Sequence, residues 1–291
     1  MVWINGELLP AAEARISVLD RALLSGTGLF ETLRAYEGRP WALEDHYERL
    51  CQGAALIDVA VPNLDEIRTG IAHALAANEL ADAGVRLTVT GGTGPVDPLS
   101  DPDAPPSVIV LVWPLRDYSE LYERGAALVT IAEGGRPLAA VKTTSYAVSV
   151  AGRVLARRAG ADDALFLGGH KRVLEATGSN LMVVSGGEIR TPPTEDAILP
   201  GVTRRYVMEV ATAEGFDVKE ELLYLDDLRA ADEVILTSSL REVYPARSVD
   251  GEQLRTAGHA ARLRDAYHAF VLRALKATAT REARSERDQT D

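Results

Sequence analysis

Apolar and polar positions divide the chain into short alternating runs and a few segments of helical spacing. Residues 2–9, VWINGELL, place short apolar runs on either side of Asn5-Gly6, a turn signal that predicts a hairpin. LFETLRAYEGRPWAL predicts a second pair of strands joined at EGRP. LEDHYERLCQGAALI has helical spacing, and NLDEIRTGIAHALAANEL has it more clearly, with Asn63 placed as a cap and Leu64, Ile67, Ile71 and Leu75 along one face. VRLTVTGG and SVIVLVWPL read as strands separated by the Gly/Pro/Asp-rich residues 91–106, a loop long enough to be expected to be functional or mobile.

Beyond RDYSELYERG the pattern changes. AALVTIA, DALFLG, NLMVVSGGEIRTP and DEVILTS read as strands, and YAVSVAGRVLARRAG, GVTRRYVMEVATAEG and the region of AARLRDAYHAFVLRAL as helices. The alternation is too irregular for a doubly wound sheet, so a mixed α+β or barrel-like core is expected. The expected division is a small α+β domain over 1–114, a connector over 115–124, a larger domain over 125–277 and a frayed polar tail over 278–291.

Composition narrows the function. A length of 291 residues with 46% apolar content suffices for a sizeable core. Net charge of −12 and a pI near 5.0 argue against nonspecific binding to nucleic acid or anionic membranes, which needs a basic surface. Any phosphate must therefore be met by a local site. Cys51 is the single cysteine, which leaves no intrachain disulfide and no cysteine-built metal cluster, and suits a reducing cytoplasm. MVWINGELLP lacks the charged and apolar regions of a signal peptide, and no uncharged apolar run is long enough to span a bilayer, so a cytoplasmic protein is expected.

Positive charge is carried almost wholly by arginine. Lysine occurs only at positions 142, 171, 219 and 276, so Lys142 is alone in the first 170 residues. Arginine stays charged, whereas a lysine amine loses its proton when desolvated or set near positive charge. Lys142, followed by TTSY, is therefore a candidate nucleophile or base; the plainer reading is a strand-end lysine reaching solvent. LPGVTRRYVMEVA puts Gly201, Val202 and Thr203 at a helix start, where free amides favour an anion, unless Thr203 is simply a cap. ILTSSLREVYP ends a strand in Thr237, Ser238 and Ser239, able to bind phosphate or merely to form a turn. Glu175 in LEATGSNLMVV opens a tight small-residue segment leading into a strand, and a carboxylate there can keep a heteroaromatic nitrogen protonated, unless it is a surface glutamate. Amine, carboxylate, hydroxyls and helix N-terminus together are the set that pyridoxal 5'-phosphate requires.

With these residues the sequence resembles the class IV aminotransferase family, the fold-type IV pyridoxal-phosphate enzymes, which includes branched-chain and D-amino-acid aminotransferases and 4-amino-4-deoxychorismate lyases. GLFETLRAYEG, HYERL, VKTTSY, EATGSN, LPGVTRR and TSSLREVYPARSVDG stand in the family's order, and the resemblance runs from about residue 3 to about residue 275. It implies an α+β two-domain enzyme with a small α+β N-terminal domain, a larger barrel-like C-terminal domain and the coenzyme between them. It also implies a homodimer whose partner lends a loop to each substrate pocket. By the resemblance Lys142 is the Schiff-base lysine, Glu175 faces the pyridine nitrogen, and Arg49 of HYERL binds phosphate together with Val202, Thr203, Ser238 and Ser239. Tyr146 is similar to a tyrosine that approaches the phenolic oxygen in some members. Substrate contacts are expected from Phe30, Thr32, Arg34 and Arg86, the arginines as carboxylate partners, and no metal is implied.

The chain departs from its best-marked relatives. The branched-chain enzymes' glycine after FE is Thr32 here, and their glycine/asparagine/proline loop is absent. The arginine-x-histidine pair of D-amino-acid aminotransferases has no match in TGGTGPVDPLSDPD, while the lyases also carry threonine at the position of Thr32. The expected reaction moves an amino group from a small amino acid or amine to a 2-oxo acid, with D-amino acids or (R)-amines ahead. The alternatives are a 4-amino-4-deoxychorismate lyase giving p-aminobenzoate and pyruvate, then a branched-chain L-amino-acid aminotransferase. A noncatalytic coenzyme carrier is disfavoured because Lys142 and Glu175 are both present.

Overall fold

The computed structural model describes residues 1–97, 100–132 and 138–288, with side chains through residue 280. The first 114 residues supply β1 (Val2–Ile4), β2 (Glu7–Leu9), α1 (Arg21–Leu24), β3 (Gly28–Tyr36), β4 (Arg39–Pro40), α2 (Leu43–Leu56), α3 (Leu64–Ala77), β5 (Ala83–Thr90) and β6 (Val108–Pro114). Their strands form one sheet in the order β2-β1-β6-β5-β3-β4. Both predicted hairpins form, through Asn5-Gly6 and through Glu37-Gly38, and all four turn residues take the positive φ that tight hairpin turns demand. Asn63 caps α3 by accepting the Glu66 amide at 2.9 Å.

Strand alternation gives β3 two different faces. Leu29, Leu33 and Ala35 join Ile67, Ile71, Val85 and Leu87 in the core against α2 and α3, each large side chain contributing about 1.5–3 kcal/mol on burial. Phe30, Thr32, Arg34 and Tyr36 face the other way, toward the second half of the chain. Gly70 lets α3 approach the first strand, because a Cβ there would lie 2.8 Å from the Trp3 ring.

The remaining elements are α4 (Ser119–Arg124), β7 (Ala126–Ala132), α5 (Ala147–Arg158), β8 (Asp163–Leu167), β9 (Arg172–Ala176), β10 (Asn180–Ser185), β11 (Glu188–Thr191), α6 (Val202–Ala213), β12 (Asp217–Glu220), β13 (Leu223–Tyr224), α7 (Leu225–Ala230), β14 (Glu233–Ser238), β15 (Glu242–Val249), β16 (Glu252–Gln253) and α8 (His259–Asp288). The second sheet runs β12-β11-β10-β14-β15-β7-β8-β9-β13, with β16 on β15. The sheet curls, since β9 and β10 stand well apart in its order yet are joined by a tight turn in which the Ala176 amide donates to the Ser179 carbonyl at 2.9 Å. The result is the expected α+β, barrel-like core.

Several local features differ from the sequence reading: α1, β9 and α7 fall outside the expected elements, and NLMVVSGGEIRTP, expected as strand, folds as the β10–β11 hairpin. The connector contains a helix, α4. β15 is a nearly fully buried strand despite Pro245, which sits one residue before β7 joins at Ala246–Ala126, so its missing N–H leaves no gap in that ladder. The segment expected to fray from residue 278 continues α8 to Asp288, because its Ala, Arg and Glu have high helix propensity even without an apolar stripe; residues 289–291 lie outside the described residues. Pro98 and Leu99 of the 91–106 loop also lie outside them. Among the described residues no helix is long and apolar enough to cross a membrane.

Candidate active site

A cavity of about 810 Å³ lies between β3 and β5 of the first sheet and the strand and helix ends of the second. Phe30, Thr32, Arg49, Arg86, Lys142, Tyr146, Glu175, Val202, Thr203, Ser238 and Ser239 all line it, although they come from separate parts of the chain.

Lys142 is held by backbone pairing with the first sheet. The Phe30 amide donates to its carbonyl at 2.9 Å, and the Thr144 amide donates to the Gly28 carbonyl at 2.9 Å, so residues 142–144 run beside the start of β3. Lys142 Nζ is 4.8 Å from the Phe30 ring centroid, and Arg86 Cζ stands 3.7 Å from the same centroid. Burial, and then the charge of Arg49, push the Lys142 amine down to about 8 against the opposing pull of Glu31 and Glu175. A large fraction of this amine is neutral at mildly alkaline pH, as a nucleophile or proton acceptor must be.

Arg49 rises from α2 into a network that the sequence reading missed. Its Nε and Nη2 donate to the Glu31 carboxylate at 2.9 and 2.6 Å, and its Nη1 donates to the Pro200 carbonyl at 2.8 Å. His46 Nδ1 lies 2.7 Å from the same carboxylate. Burial pushes the Glu31 carboxyl up, but the charge of Arg49 and the hydrogen bonds from both partners prevail and hold it well below the usual range. Burial pushes His46 down more than Glu31 lifts it, so a neutral imidazole donates its Nδ1–H to an ionised carboxylate. The signal was visible in part: His46 and Arg49 share a helix face at i,i+3, and Glu31 occupies the helix-facing parity of β3.

Glu175 lies within β9, not in the turn after it, and is buried. The Asn180 side chain and the Leu199 amide each donate to its Oε2 at 3.1 Å. Tyr146 precedes α5, donates its hydroxyl to the Thr177 carbonyl at 2.9 Å and meets Phe30 edge-on at a centroid distance of 5.3 Å. α6 starts at Gly201 with no side-chain cap, which leaves the amides of its first turn without intrahelical partners. Beside it Thr237 Oγ1 is buried without a hydrogen-bond partner among the described residues, and Ser238 and Ser239 follow along the cavity wall. An unsatisfied buried hydroxyl next to an uncapped helix start suits an oxygen-rich anion. The set therefore fits pyridoxal 5'-phosphate: amine, buried carboxylate, and phosphate donors with Arg49 close by.

Arg34 is a correction to the sequence reading. It shares the parity of Phe30 and Thr32, but two residues further along β3 the strand has passed the cavity and reached the joint between the two halves. There its guanidinium stacks on Tyr36 at 4.4 Å and pairs with Glu242 at 3.4 Å. Arg86 has no hydrogen-bond or ion-pair partner among the described residues. Arg241, absent from the sequence reading, also lines the cavity, with its Nη1 3.2 Å from the Tyr244 hydroxyl. Among the described residues no cluster of histidine, cysteine and carboxylate side chains is arranged to hold a metal ion.

Comparison with known proteins agrees with this chemistry. The family described as amino-transferase class IV matches residues 28–249. A putative branched-chain-amino-acid aminotransferase from Methanocaldococcus jannaschii is 34% identical over 86% of this chain and 88% of its own. A D-alanine aminotransferase from Staphylococcus epidermidis is 30% identical over 87% and 90%. The PLP-bound form of a hypothetical aminotransferase from Mycobacterium tuberculosis superimposes with a TM-score of 0.86 at 28% identity, covering 94% of this chain and 99% of that one. The chain belongs to the class IV aminotransferase family. It is an aminotransferase whose coenzyme is pyridoxal 5'-phosphate.

Proposed function

We propose that this enzyme takes its amino group from a small amino acid or amine, with a D-amino acid or (R)-amine ahead of a branched-chain L-amino acid, and passes it to a 2-oxo acid. The observation that carries the substrate reading is Arg86, a half-buried guanidinium with no anionic partner among the described residues, facing the cavity against Phe30. Burial pushes its pKa down, so an incoming carboxylate gains by pairing with it. Thr32 is paired with Arg86 across β3 and β5, and its branched side chain narrows the wall where the branched-chain enzymes have glycine, which supports a small donor. The preference for the D-series rests on the missing branched-chain markers.

Pyridoxal phosphate, when bound, supplies an aldehyde that condenses with amines and a ring that accepts the electrons left when a bond to the amine-bearing carbon breaks. In this reading Lys142 serves as covalent anchor and, once displaced, takes and returns a proton at Nζ. Glu175, oriented by Asn180 and the Leu199 amide, holds a proton on the ring nitrogen. The amides of Val202 and Thr203 with Ser238 and Ser239 hold the phosphate, and Glu31 keeps Arg49 aimed beside them.

A homodimer is part of the proposal. Val18 and Leu23 are 74% and 62% exposed, and Val148, Val150 and Leu155 on α5 are 53%, 53% and 47% exposed, an apolar surface that a second copy would cover. Function in a reducing cytoplasm fits the single cysteine. Thr32 also favours a second reading, the aminodeoxychorismate lyase, and Arg241 and Arg116 along the same cavity would suit its second carboxylate.

The purified holoenzyme should be mixed separately with D-alanine, L-leucine and aminodeoxychorismate while the coenzyme spectrum and products are followed. Conversion of the coenzyme to its amine form with D-alanine ahead of L-leucine is expected. Faster conversion with L-leucine overturns the donor preference. Pyruvate and p-aminobenzoate from the third substrate, with neither amino acid reacting, would establish the lyase.

A further inference from the structure

The turn between β14 and β15 carries Thr237, Ser238, Ser239, Leu240 and Arg241 along the cavity and closes at Glu242, which pairs with Ser238 across the hairpin. Glu242 is buried and holds φ at +53°, the left-handed region that glycine favours. A buried carboxylate on strained backbone persists only where its surroundings compensate for both. Glu242 Oε1 accepts the Tyr36 hydroxyl at 2.7 Å, lies 2.9 Å from His268 Nδ1 and pairs with Arg34 Nη1 at 3.4 Å. Arg34 and Tyr36 lie on the face of β3 that, a few residues earlier, brings Phe30 and Thr32 to the cavity. A single carboxylate thus ties one wall of the cavity to the loop forming another, and α8 adds a third point of attachment through His268.

We propose that Glu242 is a positioning residue that sets the loop 237–241 at its working distance from β3. The strained backbone is retained because only that conformation delivers the carboxylate to Tyr36 and Arg34 while leaving Ser238 and Ser239 on the cavity wall. The proposal rests on the assignment of those serines to the coenzyme's phosphate, and it gives Arg34 a role in holding the site together.

The test compares binding of pyridoxal phosphate with binding of pyridoxal, which lacks the phosphate, to wild-type apoprotein and to Glu242→Ala, Glu242→Gln, Glu242→Gly and Tyr36→Phe. Glu242→Ala is expected to weaken pyridoxal phosphate about tenfold or more with pyridoxal unchanged, and Glu242→Gln, which keeps an acceptor oxygen, to stay within about threefold of wild type. Glu242→Gly should lose as much as the alanine variant, since relieving the backbone does not restore the clasp. Tyr36→Phe should show a smaller loss in the same direction. A wild-type preference for pyridoxal phosphate that survives in Glu242→Ala overturns the proposal. If the alanine variant does not fold, an unchanged preference in Tyr36→Phe overturns it. A wild type that binds both compounds equally would instead sink the phosphate assignment, a different failure.

Discussion

Replacing Glu31 by glutamine removes one charge from a place that water does not reach. Glu31 is 1% exposed, and it takes two hydrogen bonds from Arg49 and one from His46. Breaking a buried ion pair costs about 3–5 kcal/mol, because the charge left behind stays buried without its partner. The glutamine oxygen can keep one Arg49 bond, so the lower figure applies, about 3 kcal/mol or roughly a hundredfold in the folding equilibrium at neutral pH. The folded carboxyl titrates well below its ordinary 4.5, so its stabilisation is full above that value and is lost as pH falls toward the folded value. Denaturant unfolding of wild type and Glu31→Gln, at fixed protein concentration, should therefore show the gap at neutral pH and a narrower one near pH 4. The double variant Glu31→Leu with Arg49→Met should recover most of the stability, since an apolar pair replaces a buried ionic one at little cost, while losing affinity for the coenzyme. A loss below about 1 kcal/mol, the size seen for exposed pairs, or a loss independent of pH would refute the reasoning.

Three further outcomes follow from the site. The rate of coenzyme uptake by apoprotein should climb with pH and level off above about 8, and apoprotein stability should increase from there toward 10.5, since the unfolded chain still binds the proton that folded Lys142 has released; an uptake inflection near 10.5 would contradict the depressed amine. Arg86→Met should raise KM for an amino acid by about ten- to a hundredfold while sparing an (R)-amine without a carboxylate, and equal losses on both substrates would remove Arg86 from carboxylate recognition. Gly201→Ala places a Cβ 1.9 Å from Asn180 Oδ1, so Asn180 must shift from Glu175; coenzyme affinity should fall with circular dichroism unchanged, and wild-type affinity would show that Asn180 does not orient the carboxylate.

The parts of this molecule that could be read from the sequence are those decided locally. Asn5-Gly6 and Glu37-Gly38 set their hairpins by turn chemistry, and α3 followed from its cap and apolar face. Lys142 stood out because a mostly arginine chain places a lysine where burial can depress it. What escaped depends on contacts distant in sequence. Glu31 gains its meaning only when α2 folds back with His46 and Arg49, and Arg34 differs from Thr32 only by where β3 leaves the cavity. β15 was missed because proline argues against a central strand unless the end of its neighbouring ladder is known. α8 outran its apolar stripe because helix propensity alone carries its last turns.

The pairing of residues 142–144 with β3 has a consequence for biosynthesis. Glu175 and Asn180 flank one tight turn and Ser238 and Glu242 share one hairpin, but Lys142 is fixed by pairing with Phe30 of β3, and Arg49 reaches the Pro200 carbonyl 151 residues away. Chain entropy opposes such distant contacts, so the coenzyme pocket can assemble only after both halves have acquired their topology. Vitamin capture thereby becomes a checkpoint on maturation: a polypeptide whose two sheets have not yet met would lack both the anchored Lys142 and the Arg49 contact with Pro200.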